Sequence, residues 1–138
     1  MHFPVALILV GALAMGVWSV RGTSFWRQCA LLLLTLGWIG GIVAYQTGEV
    51  MKEHTEGTPI VEELVALHEN AAFYALLVTG AVVLALAGLS VWLERRITLE
   101  RNPPEPLAAR IVLALTALVA AVLIAWTAHI GGTMVWGV

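Results

Sequence analysis

Four long apolar runs, residues 3–20, 29–45, 71–93 and 111–130, leave this chain few folds to choose from. About 20 apolar residues at 1.5 Å rise cross a hydrocarbon core of ~30 Å as a helix. The second run is the shortest, and Gln46 with Thr47 carries it to interface depth. Of the 138 residues, 60% are hydrophobic and 12% charged, whereas a soluble domain has roughly 45–50% and ~25%. The excess lies in uninterrupted stretches, which implies a lipid-embedded chain rather than a large soluble core. The expected fold is all-α: an integral membrane four-helix up-down-up-down bundle forming one domain, 1–138, with spans near 3–20, 29–47, 69–94 and 110–130.

Charge sets the orientation. Arg21 and Arg27 lie in the connection after the first span, and Arg95, Arg96, Arg101 and Arg110 in the connection after the third. The other side holds both termini, residues 46–70 and Lys52 as its only lysine or arginine. By the positive-inside rule the arginine loops face the cytoplasm, and both termini with the 46–70 hairpin face outward, into the periplasm of a bacterium. The expected location is therefore the bacterial cytoplasmic (inner) membrane. No positive stretch precedes the first run, so it reads as a span and not as a cleaved leader, although "ALA" at 12–14 resembles a cleavage site. With no basic stripe, nucleic-acid binding has no support. The one cysteine, Cys29, excludes an intrachain disulfide, a CxxC zinc site and covalent c-type haem attachment within the chain.

Two kinds of residue shape the spans. Small residues at helical spacing, Ala12 with Gly16, Gly37 with Gly41 and Ala81 with Ala85, suit close approach of backbones in lipid. Trp18, Trp26, Trp38, Trp92, Trp126 and Trp136 fall mostly near span ends and read as an interfacial aromatic belt. Pro103, Pro104 and Pro106 end helical structure in the second arginine connection, because proline lacks an amide donor and clashes with the preceding turn.

The stretch "EHTEGTPIVEELVALHEN", 53–70, is the most polar in the chain and carries two of the four histidines and five of the nine acids. Thr58 and Pro59 form a helix-start signal, with Glu62 and Glu63 at the positive end of the helix dipole. The third helix is thus expected to begin near 59, with the second continuing through Glu49 and Glu53 to about 57. Together they form a long hairpin projecting outward. On that geometry His68 stands opposite Gln46 at the outer boundary, and His54 lies nearer the tip. His2 and His129 sit at the outer ends of the first and fourth helices, so His2, His68 and His129 share one level, with Glu69 beside them and Glu49 within a turn.

Neutral imidazole is the commonest metal ligand and an axial ligand of haem iron. In an up-down-up-down bundle the first and third helices face each other across a diagonal, which lets His2 oppose His68. Below His68, Ala71, Ala72, Ala75 and Thr79 make a small-residue face that admits either a flat cofactor or a neighbouring helix. Ala121, Val122 and Ala125 repeat the pattern behind His129, and Gly131–Gly132 suits a turn or a close approach. No Glu-x-x-His occurs, as a carboxylate-bridged di-metal bundle would need. Most of the acids read as solvated hairpin faces, while Glu69 is placed to orient an imidazole. Met1, Met51 and Met134 add a loose methionine set that copper would accept.

"HFPVALILVGAL", "GEVMKEH…EELVALHENAA" and "AHIGGTMVWGV" together resemble a bacterial family of predicted four-helix membrane proteins of unknown function. Its members open on a histidine–phenylalanine–proline motif, carry "GE" followed further on by "HE", and in some cases end in histidine–x–glycine–glycine. The matching positions are His2, Phe3 and Pro4; Gly48 and Glu49; His68 and Glu69; and His129, Gly131 and Gly132. Relatives are sometimes fused to Rieske or c-type cytochrome domains, which implies a role close to electron transfer.

Three functions fit these residues. The first is a membrane electron-transfer subunit with haem b bound near the outer side by His68 with His129 or His2, and with Glu69, Glu49 and Gln46 as supporting groups. It would exchange electrons with quinol or with a Rieske or c-type cytochrome partner. The second is a non-haem copper, zinc or iron site on the same histidines. The third is a cofactor-free accessory subunit of a larger membrane complex, docking through its acidic hairpin. No span has a charge at mid-depth and no broken-helix repeat is evident, which argues against a transporter. Neither a catalytic triad nor a phosphate-binding loop is visible.

Overall fold

The computed structural model describes residues 2–52, 59–97 and 105–136. They form α1 (His2–Arg21), α2 (Ser24–Lys52), α3 (Pro59–Ile97) and α4 (Leu107–Trp136), with no strand among them. Each helix packs on its neighbour in the chain, and α4 returns against α1. The ring so closed leaves α1 and α3 on one diagonal and α2 and α4 on the other. Segments Phe3–Arg21, Ser24–Gly48, Glu63–Ile97 and Leu107–Met134 are each long and apolar enough to cross a membrane.

Glycines set how closely the helices approach. A Cβ on Gly11 would meet the Leu34 side chain, and one on Gly37 would meet Ile8, so α1 and α2 are in intimate contact. On the other edge of α2, Gly41 lies under Leu76, while Gly80 of α3 lies under the Trp38 ring. Gly37 and Gly41 therefore serve two different neighbours. The core runs through Ile8, Met15, Trp18, Leu34, Val82 and Leu86. Outside it stand Leu13, Leu84 and Val122, 71%, 67% and 60% exposed. Large apolar side chains on the outer surface are what a bundle solvated by lipid tails requires.

Three expectations change. The connection "RGTSFWRQ" shrinks to Gly22 and Thr23, because α2 begins at Ser24 and carries Phe25, Trp26 and Arg27 on helix. Gly22 makes that turn with φ +64° and donates its amide to the Trp18 carbonyl at 2.8 Å. This is the left-handed C-terminal cap that glycine adopts without strain. Second, the aromatic belt does not include Trp18 or Trp38. Trp18 is fully buried and Trp38 packs on the core, whereas Trp92 and Trp126 remain exposed. Third, α4 runs straight through Gly131 and Gly132 to Trp136, so the paired glycines make no turn.

The hairpin agrees with its expected start, α3 opening at Pro59. Glu53, His54, Glu56, Gly57 and Thr58 lie outside the described residues, as do Arg101, Pro103 and Pro104. In the second arginine connection α3 ends at Ile97, and α4 begins at Leu107, directly after Pro106.

Candidate functional site

His68 sits at the hairpin end of the stripe by which α3 enters the core. Ala75 and Thr79 follow it at +7 and +11, positions that share its helix face, and both are fully buried. The half-buried His68 ring turns toward α4, where Nδ1 lies 3.0 Å from the Thr127 carbonyl oxygen. A carbonyl only accepts, so Nδ1 carries the proton and donates, and the Nε2 lone pair is left for another partner. This is the arrangement of a ligating histidine, in which the bond at one ring nitrogen fixes the tautomer and aims the other.

Gly131 makes room for that ring. A Cβ there would lie 3.1 Å from His68 Cε1 and 3.5 Å from Nδ1. Gly131 follows Thr127 by one helical turn, so the two share the α4 face that receives the imidazole. Thr127 is buried and returns its hydroxyl to the Leu123 carbonyl at 2.9 Å. Of the two readings of the paired glycines, close approach therefore applies to Gly131. Gly132 has nothing within 4 Å of where its Cβ would stand.

His129 points elsewhere. It is two residues from Thr127, hence about 200° around the helix, and is exposed on the outer face with Val122, Ala125 and Trp126. Its ring tilts against Trp126 at 5.8 Å between centroids. His68 and His129 thus lie on opposite sides of α4 and do not form a pair within the chain. His2 begins α1, on the diagonal from α3; its side chain and that of Glu49 lie outside the description. The contacts of Gly41 with Leu76 and of Trp38 with Gly80 set a register that, extended outward, brings Glu49 rather than Gln46 opposite His68. Gln46 is exposed, while Glu69 is half-buried and engaged by a partner. Among the described residues, no three His, Cys, Asp or Glu side chains gather as a metal would need.

Below His68, the small-residue face is largely filled by helix packing. Ala75 is fully buried, and Thr79, also buried, donates its hydroxyl to the Ala75 carbonyl at 2.7 Å. At the level of Ala71 and Ala72, nearer His68, both side chains are half-buried.

The opposite end holds a constellation that motif reading passed over. Glu105, just before α4, accepts hydrogen bonds from the Trp18 indole and the Arg27 guanidinium. Arg27 is 3% exposed and the Glu105 side chain 11%, so this is a buried ion pair. Beside it Arg110 donates to the Ser19 and Val20 carbonyls, the latter at 3.1 Å, and so satisfies carbonyls left open at the end of α1. Arg96 covers the face of Trp92 at 4.4 Å. The sole cue in the sequence was a glutamate embedded in an arginine-rich loop. Nothing local told that its partners were residues 18 and 27.

Fold and site define a class: a four-span, all-helical membrane bundle with one oriented imidazole at its hairpin end. The family model described as "Predicted membrane protein (DUF2231)" matches residues 1–138, and the chain belongs to that family. No curated protein and no solved structure matches it.

Proposed function

We propose that this protein is a membrane electron-transfer subunit that binds b-type haem near its hairpin end, with His68 Nε2 as an axial ligand. The supporting observation is the Nδ1 bond to the Thr127 carbonyl, which leaves Nε2 as the ligating nitrogen. Haem also suits the number of ligands on offer. It brings four nitrogens of its own and asks the protein for one or two axial side chains. Zinc or copper would need three or four protein ligands together.

His2, on the diagonal helix, is the candidate for a second axial ligand. His129 is not, because it faces the outer surface. Bound haem would supply one-electron transfer, and the chain's residues would hold and orient it. Gly131 admits the imidazole and Thr127 fixes its tautomer. The partition of arginines supports a periplasmic position for this end in a bacterial inner membrane, where quinol or a Rieske or c-type cytochrome partner would exchange electrons.

The test is a dithionite-reduced minus air-oxidised spectrum of protein purified in detergent from haem-replete cells, with metal analysis on the same sample. A sharp reduced α band in the region of haem b, lost in His68→Ala and retained in His129→Ala, is the expected result. A flat spectrum with bound copper, zinc or iron would move the assignment to a non-haem centre. A flat spectrum without metal would leave a cofactor-free accessory subunit.

A further inference from the structure

We infer that the outer face of α1 at the arginine end is a binding site for an anionic phospholipid, with an acyl chain over Gly16 and the phosphate at Arg21. This goes beyond the haem reading and stands independently of it. The site is a groove of about 450 Å³ lined by Leu13, Gly16, Val17, Val20 and Arg21. Leu13 and Val20 stand one turn to either side of Gly16, 71% and 83% exposed, as the two ends of the groove. Its floor is the bare Gly16 backbone, with nothing within 4 Å of where a Cβ would be. Ser19 does not polarise that floor, because its hydroxyl turns back to the Gly16 carbonyl at 2.7 Å.

The head of the groove is cationic. Arg21 is exposed at the last position of α1 and closes the apolar lining. Arg110 comes from α4 to the same place: its guanidinium bonds the Val20 carbonyl, and a Cβ on Gly22 would touch it. The Arg110 bonds run to neutral backbone carbonyls, so its charge is not cancelled by them. One guanidinium, Arg21, thus lines the end of an apolar groove, with the half-buried Arg110 behind it on the Val20 carbonyl. That pairing of shape and charge fits a chain with a negatively charged head.

Charge also decides between lipid and a second copy of the chain. Two α1 helices docked through Gly16 in one membrane would run parallel about a two-fold axis. Each Arg21 would then meet its twin a little over one turn away. An anionic lipid meets the same arginine with the opposite sign.

Native mass spectrometry of the detergent-solubilised protein tests this, with palmitoyl-oleoyl phosphatidylglycerol added against the phosphatidylcholine of the same chains and against inorganic phosphate. Phosphatidylglycerol should bind more tightly than phosphatidylcholine, and inorganic phosphate should not displace it. Arg21→Gln should weaken it about fivefold, the usual contribution of one basic residue at a charged membrane surface. A Cβ at Gly16 meets nothing within 4 Å, so Gly16→Leu enters the groove from an open position, and it should weaken both lipids while thermal unfolding stays near wild type. Equal binding of the two lipids, competition by inorganic phosphate, or unchanged binding in Gly16→Leu would overturn the assignment. So would a wild-type dimer that Gly16→Leu converts to monomer.

Discussion

The two ends of the bundle treat their polar groups in opposite ways. At the arginine end, Arg27 and Trp18 both donate to Glu105, and Arg110 donates to the carbonyls that end α1. These side chains tie the start of α4 to the turn between α1 and α2. At the hairpin end, His68 bonds a backbone carbonyl through Nδ1, and among the described residues its other ring nitrogen has no hydrogen-bond partner. The first arrangement uses its polar groups to hold the fold, with Arg27 Nε and Arg110 Nε left buried without a partner among the described residues. The second keeps a ring nitrogen in reserve, and that reserve is what distinguishes a candidate site from a clasp.

Removing the clasp should have the largest effect. Glu105→Ala leaves the guanidinium of Arg27 buried without its carboxylate, and losing one partner of a buried pair costs about 3–5 kcal/mol. The exposed Glu94 gives the control, since Glu94→Ala should stay within about 0.5 kcal/mol. Thermal unfolding of the detergent-solubilised variants reads both. Similar values for the two would erase the contrast between the ends.

A smaller loss is expected at the hairpin end. In Gly131→Ala the new methyl meets His68 Cε1 at 3.1 Å, tighter than ordinary contact. The ring must yield, at about 1–3 kcal/mol for overpacking, and its bond to Thr127 lengthens. If His68 ligates haem, the reduced α band should weaken or shift in the same variant, which a purely structural contact would not cause. Gly132→Ala should do least. Its Cβ enters open space, and alanine favours helix over glycine by up to about 1 kcal/mol, so stability should hold or rise slightly. Equal behaviour of the two glycine variants would remove the argument that Gly131 exists to admit His68.

Much of this architecture is legible without coordinates. The start of α3 at Pro59 followed from the Thr58–Pro59 signal, whereas α4 begins at Leu107, a few residues before the expected span near 110. The readable part of the site was narrower. The motifs marked His68, His129 and Gly131 separately, but not that His68 packs on Gly131 while His129, in the same motif as Gly131, turns its ring to Trp126. The level of a residue along a helix follows from counting at 1.5 Å per residue. Its azimuth toward or away from the core does not, when the helix is apolar on every side.

That distinction divides what each source determined. Sequence alone determined four membrane-length helices, their alternation and the segregation of arginine to one end. These depend on length, hydropathy and charge summed over local segments. Tertiary structure decided that Trp18 and Trp38 are core, that Arg27 is buried against Glu105, 78 residues away, and that only one of two neighbouring imidazoles faces inward. In water, an amphipathic stripe marks the inward face of a helix. In lipid both faces are apolar, so the inward face is set by which small residues let a partner helix approach, and that is known only once the helices are packed.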